Sequence, residues 1–170
     1  MKMDTARRSF LRNGIRTVFG AALTEVGMRG YQKPTYEAML ISCIDPRMVD
    51  PVHRYMSTRG LDGKYSQFVI AGAAIAAQAK AFASWHQTLW DNLATSVDLH
   101  KIKRVIAIDH RDCGAARIAY GPDSIADRAT ETATHRKVMM AFKDDVHKRH
   151  PTLEVETGLM ALDGSIEMFA

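Results

Sequence analysis

Apolar positions along this chain gather either into short runs or into stretches where they recur every three to four residues. Residues 38–44 (AMLISCI), 67–70 (QFVI) and 105–108 (VIAI) are runs, and 153–160 adds a fourth extended segment. A run without polar alternation is what a strand covered on both faces requires, so these predict buried strands. Between them lie helical patterns. Residues 52–59 form a short one, closed by Gly60 and Gly63. Residues 82–99 place Trp85, Leu89, Leu93 and Val97 at four-residue steps, with Phe82, Trp90 and Ala94 flanking. Residues 115–120 begin a short helix, followed by a turn at 121–123. Residues 126–148 carry Val138, Met139, Phe142 and Val146 on one side and stop before Pro151. Asp163-Gly164 predicts a hairpin-type turn that returns residues 165–169 beside the last strand. The small residues 71–77 permit close backbone approach or tight helix packing.

Strands alternating with helices predict an α/β fold: a mostly parallel central sheet of four to five strands flanked by helices. Ahead of it, Leu11, Ile15, Val18, Ala22 and Val26 recur at helical spacing, with Phe19 and Leu23 beside them, and Gly27 and Gly30 as stop signals. This predicts a projecting N-terminal amphipathic helix suited to a partner subunit. The chain thus divides into an arm at 1–30 and an α/β domain at 31–170. Arg7-Arg8-Ser9-Phe10-Leu11-Arg12 resembles a twin-arginine export signature. Arg16 and Glu25 interrupt the apolar region that should follow, and no clear small-x-small cleavage site appears. The expectation is a cytoplasmic protein, with periplasmic export as the alternative.

Bulk properties narrow the picture further. The 170 residues are one domain's worth, and 46% hydrophobic with 25% charged residues is ordinary for a soluble globular protein. No apolar run is long enough for a membrane span, so no membrane is expected as a partner. The formal net charge of +4 owes much to Lys2, Arg7, Arg8, Arg12 and Arg16. No nucleic-acid motif accompanies these residues, so they read as a solvated helix face and no nucleic acid is expected. Two cysteines make no disulfide framework, and each needs its own explanation.

Open parallel sheets collect functional groups at the C-terminal ends of their strands. Two of the runs end there in polar clusters: Cys43-Ile44-Asp45-Pro46-Arg47, and Asp109 to Cys113. Cys43, His110 and Cys113 supply two thiolates and an imidazole, a set suited to Zn²⁺. With no third cysteine in the chain, three protein ligands and a free fourth position follow the catalytic pattern. The plain alternative is two core cysteines and an unrelated histidine. Arg47 can grip Asp45 with two parallel hydrogen bonds and keep it ionised, so that Asp45 orients a zinc-bound hydroxide. Asp109 and Asp112 bracket His110, and either can accept its other N–H or face water. His53 is a candidate proton shuttle against the plainer solvated reading; His86 reads as packing, and His147 and His150 as solvated.

C-x-D-x-R after one strand and H-x-x-C-G-A after another resemble the β-class carbonic anhydrases. Cys43, Asp45, Arg47, His110, Cys113, Gly114 and Ala115 match that pattern. Gln32-Lys33-Pro34 resembles the Gln-x-Pro stretch of plant-type members, and residues 153–169 the family's last strand and its Asp/Gly turn. The resemblance implies one zinc per chain held by Cys43, His110 and Cys113, catalysis through Asp45 and Arg47, and substrate contacts at Gln32 and Gly114. It implies a homodimer or higher homo-oligomer and reversible hydration of CO₂ to bicarbonate by a zinc lyase (a carbonate dehydratase). Family members carry Arg-Asn-Ala-Gly after the second strand, where this chain has Ala71-Gly72-Ala73-Ala74. That departure keeps open a hydrolase of COS or CS₂ using the same zinc site, and a non-catalytic zinc-binding or regulatory relative.

Overall fold

The structure is a computed structural model and describes residues 36–169. The expected N-terminal helix, the twin-arginine stretch and Gln32 lie outside the described residues.

Five strands form one sheet: β1 (Ala38–Ser42), β2 (Tyr65–Val69), β3 (Arg104–His110), β4 (Glu154–Met160) and β5 (Ile166–Phe169). Their order is β2-β1-β3-β4-β5. The first four run parallel, and β5 returns antiparallel to β4. The helices are α1 (Val49–Thr58), α2 (Ala74–Gln78), α3 (Ala83–His100), α4 (Gly114–Tyr120) and α5 (Arg128–Arg149). This is the mostly parallel α/β architecture that the spacing of apolar runs predicts.

The central strands have two cores because successive side chains point to opposite faces. Met39, Ile41, Val105 and Ala107 face a core shared with Leu89 and Leu93 of α3 and with Met139 and Phe142 of α5. Leu40, Ile106 and Ile108 face the other core, closed by Val52 and Met56 of α1. Burial on both faces explains why β1 and β3 read as continuous apolar runs.

Several boundaries shift for local reasons. β2 begins at Tyr65, ahead of the apolar run, because its edge position leaves it only half buried. Helix α5 starts after Asp127, whose carboxylate accepts from the N–H groups of Ala129 and Thr130. Trp85 does not join the core face of α3. It stacks on Phe82 at 4.5 Å and stays 37% exposed, while Trp90 takes the buried place. No helix among the described residues is long and apolar enough to cross a membrane.

Parallel strands end together, and that brings the two polar clusters to one rim. Ser42 of β1 lies opposite Ile108 of β3, so Cys43 and His110 both emerge at the C-terminal edge of neighbouring strands.

Candidate metal centre

Cys43 is the first residue after β1 to leave the ladder. His110 is the last residue of β3, and Cys113 caps the start of α4. The ligand atoms of these three residues lie within 4.8 Å of one another. His110 and Cys113 are each 1% exposed and Cys43 is 9%, so access comes from the Cys43 side.

The imidazole is aimed by a backbone group. His110 Nδ1 lies 2.8 Å from the Arg111 carbonyl oxygen, which accepts its proton. Nε2 then presents a lone pair, and this buried atom has no hydrogen-bond partner among the described residues. A buried polar atom without a partner is costly, and beside two sulfurs it fits a metal. Of the two readings of Asp109 and Asp112, the orienting one fails: the Arg111 carbonyl orients His110, Asp112 is largely exposed and Asp109 pairs with His135.

The thiols point the same way. A hydrogen bond from Cys113 draws Cys43 down to about 4, with the Gly72 N–H adding to it against the cost of burial. Cys113 is pushed far above the ordinary thiol range by its hydrogen bond to Cys43 and by burial. The bare pair thus favours one negative charge shared between the two sulfurs, and a bound cation would favour the second. The Gly72 N–H donates to Cys43 Sγ at 3.2 Å. The donor set, its spacing and its charge demand fit Zn²⁺ through Cys43, His110 and Cys113.

Asp45 is aimed twice. As the cap of a single 3₁₀ turn at Pro46–Met48 it accepts the Arg47 N–H at 2.9 Å. It also accepts from the guanidinium, with Arg47 Nε at 3.0 and 3.2 Å from the two oxygens and Nη2 at 2.7 Å. These hydrogen bonds hold the Asp45 carboxyl down to about 2. Its Oδ2 stands 3.9 Å from His110 Nε2.

The sequence did not expose the other side of this grip. Arg47 Nη1 donates to Asp112 Oδ2 at 2.9 Å, and Nη2 to the Asp112 carbonyl at 3.2 Å. Asp112 sits at φ +57°, a conformation uncommon outside glycine. Glu131 of α5 holds it there by accepting its N–H, and Arg111 braces Glu131 at 3.0 Å.

Gly114 opens α4, and a Cβ built at that position would meet nothing within 4 Å. A cavity of about 370 Å³ adjoins Cys43, with Ile44, Val49, Tyr65 and Val69 among its walls. His53 lines it too, but is well exposed and 3.9 Å from Asp62, as a solvated histidine would be. His86 contacts the Ala79 carbonyl at 3.1 Å, a packing role.

Residues 33–161 match a family model described as "Putative carbonic anhydrase". An uncharacterized protein of Rickettsia conorii is 33% identical over 129 residues, spanning 76% of this chain and 69% of that one. One from Rickettsia bellii is likewise 33% identical over 129 residues, covering 76% of this chain and 79% of its own. Among solved structures, the fold is similar to a β-carbonic anhydrase of the fungal pathogen Aspergillus fumigatus. That match has a TM-score of 0.55 at 13% identity, covering 98% of this chain and 91% of that chain. A tetrameric β-carbonic anhydrase of Sordaria macrospora gives 0.55 at 12% identity, with 97% of each chain covered.

Proposed function

This chain belongs to the carbonic anhydrase family whose model it matches, and we propose that it is a zinc lyase that hydrates CO₂ reversibly to bicarbonate. The observation that carries the reading is the position of Asp45 Oδ2, ionised and 3.9 Å from the unpartnered Nε2 of His110. Cys43, His110 and Cys113 would hold the zinc, which would supply Lewis acidity enough to ionise water near neutral pH. The protein's own contribution is orientation. Asp45 accepts a hydrogen bond from the attacking oxygen and turns a lone pair toward the substrate carbon. Arg47 holds Asp45 charged and in place. Gly114 and Gln32 are read as substrate contacts from their resemblance to family positions. The same reading expects a homodimer or larger assembly, as in the tetrameric Sordaria enzymes, and a cytoplasmic protein.

A second substrate reading has an observation of its own. Ile44, Val69, Ile70, Ala71 and Trp85 line a further cavity of about 350 Å³ that shares Ile44 and Val69 with the one at Cys43. An apolar approach suits COS or CS₂ as well as CO₂. Stopped-flow CO₂ hydration and COS hydrolysis on one zinc-loaded sample separate them. CO₂ turnover supports the lyase, turnover of COS alone supports the hydrolase, and neither with zinc retained leaves a non-catalytic zinc protein.

A further inference from the structure

Directly behind the metal ligands lies a buried polar pair that the mechanism above does not use. Asp109 precedes His110 on β3 and is 1% exposed; His135 of α5 is fully buried. His135 Nδ1 lies 2.8 Å from Asp109 Oδ2, so the proton of that contact sits on Nδ1. The other oxygen, Oδ1, accepts the Ala74 N–H at 3.0 Å. A carboxylate in such a place is expensive, and both its oxygens are committed to holding something.

What they hold is the turn at 72–74. Gly72 has φ +81°, and a Cβ there would stand 2.8 Å from the Ala115 Cβ and 3.1 Å from the Ile75 Cβ. Ala73 sits at φ 46°, ψ −111°, a conformation that alanine adopts only under external restraint. One residue after Ala73, the Ala74 N–H is tied to Asp109. One residue before Ala73, the Gly72 N–H points at Cys43 Sγ at 3.2 Å. The strained turn is thus pinned at one end to a buried carboxylate and at the other to a ligand sulfur. This is also the stretch where Ala71-Gly72-Ala73-Ala74 departs from the family's usual residues.

We infer that Asp109, steadied by His135, is a positioning residue for the Cys43 sulfur, acting through the 72–74 turn that delivers the Gly72 N–H to Sγ. The inference rests on the metal-site reading above. An N–H donated to a ligating thiolate draws charge from the sulfur and fixes its orientation, and such outer contacts are worth about 10–100-fold in metal affinity. Without Asp109 the Ala74 N–H loses its acceptor, Ala73 relaxes toward an ordinary conformation, and the Gly72 donor leaves the sulfur. The sulfur then carries more charge, which lets a proton compete better for it, and it is no longer held in one orientation, so its hold on a metal weakens.

Cobalt(II) substitution reads this directly, because the sulfur-to-cobalt charge-transfer band reports electron density on the thiolates. The full-length protein is compared as wild type, Asp109→Ala, Asp109→Asn and His135→Ala, with Zn²⁺ affinity taken by chelator competition. Val146→Ala, a truncation of a fully buried α5 side chain, is the control for plain loss of stability. Asp109→Ala is expected to move the band to lower energy and to weaken zinc binding about 10–100-fold. His135→Ala should move both in the same direction by less. Asp109→Asn keeps an acceptor for the Ala74 N–H but sets its amide nitrogen against His135 Nδ1, so it should move both by less than Asp109→Ala does. Val146→Ala should lower the melting temperature and leave the band in place. Should Asp109→Ala not fold, His135→Ala against Val146→Ala decides the matter. Wild-type spectra in both Asp109→Ala and His135→Ala, or an equal shift in Val146→Ala, overturn the inference alone. A wild-type protein that takes up no cobalt and no zinc overturns the site reading and this inference with it.

Discussion

Arg47 and Asp112 stand 65 residues apart in the chain, and their side chains meet at 2.9 Å. The guanidinium is therefore gripped from both sides, by Asp45 on its own turn and by Asp112 on the loop between His110 and Cys113. An exposed ion pair of this kind contributes only about 0–1 kcal/mol to stability. Its consequence is geometric. The Asp112 carbonyl takes a second N–H from the same arginine, and Glu131 fixes the Asp112 backbone, so Arg47 cannot swing off Asp45 without breaking both contacts.

Asp112→Ala is accordingly expected to leave zinc content unchanged and to lower CO₂ hydration about tenfold, the lower end of what outer contacts to a metal site are worth. Paired metal analysis and stopped-flow rates check it. An unchanged rate would reduce the Arg47–Asp112 contact to a surface ion pair.

Asp45→Asn and Arg47→Ala should each keep zinc and fold but lose about a hundredfold or more in rate, the usual cost of removing a positioned catalytic group. Asn cannot present the same ionised acceptor, and Asp45 without Arg47 is free to rotate or take a proton. The check is zinc stoichiometry and hydration rate on the same preparations, and near-wild-type rates in both variants would contradict the assigned roles.

Much of this was legible in the sequence, for a physical reason. Strands buried on both faces must be apolar throughout, so β1 and β3 announce themselves, and the polar residues that end them stand out. Cys43, His110 and Cys113 fall within ligand distance of one another because parallel neighbours share a rim. What stayed hidden are contacts made by backbone groups or by residues far along the chain. Nothing in a sequence marks the Arg111 carbonyl as the partner of His110 or the Gly72 N–H as a donor to Cys43. His135 reads as one more residue of a long helix until α5 packs it on Asp109. Trp85 fits the helical stripe by spacing but lies beyond the reach of the core.

Acid stability offers a test away from the metal. Burial disfavours the charged form of Glu156, but hydrogen bonds from Arg59 and Arg104 outweigh it and lower the carboxyl from its ordinary 4.5. A carboxyl depressed in the folded state adds stability that is fully present above the unfolded value. That stability is lost as pH falls through the lower folded value. Glu156→Gln should therefore melt lower at pH 7 and lose less of its remaining stability on acidification below about 4.5. Thermal melts of both proteins across that range check the sign; parallel acid limbs would contradict it.

The central claim is that zinc held by Cys43, His110 and Cys113 makes this chain a CO₂ hydratase. The most direct measurement is to strip the metal with a chelator, return Zn²⁺ in steps, and follow CO₂ hydration by stopped flow at each step. The account predicts a rate that rises linearly and breaks at about one zinc per chain, with Cys43→Ser giving no such rise. A full complement of zinc with no hydration above the uncatalysed rate, or hydration indifferent to zinc, would contradict it.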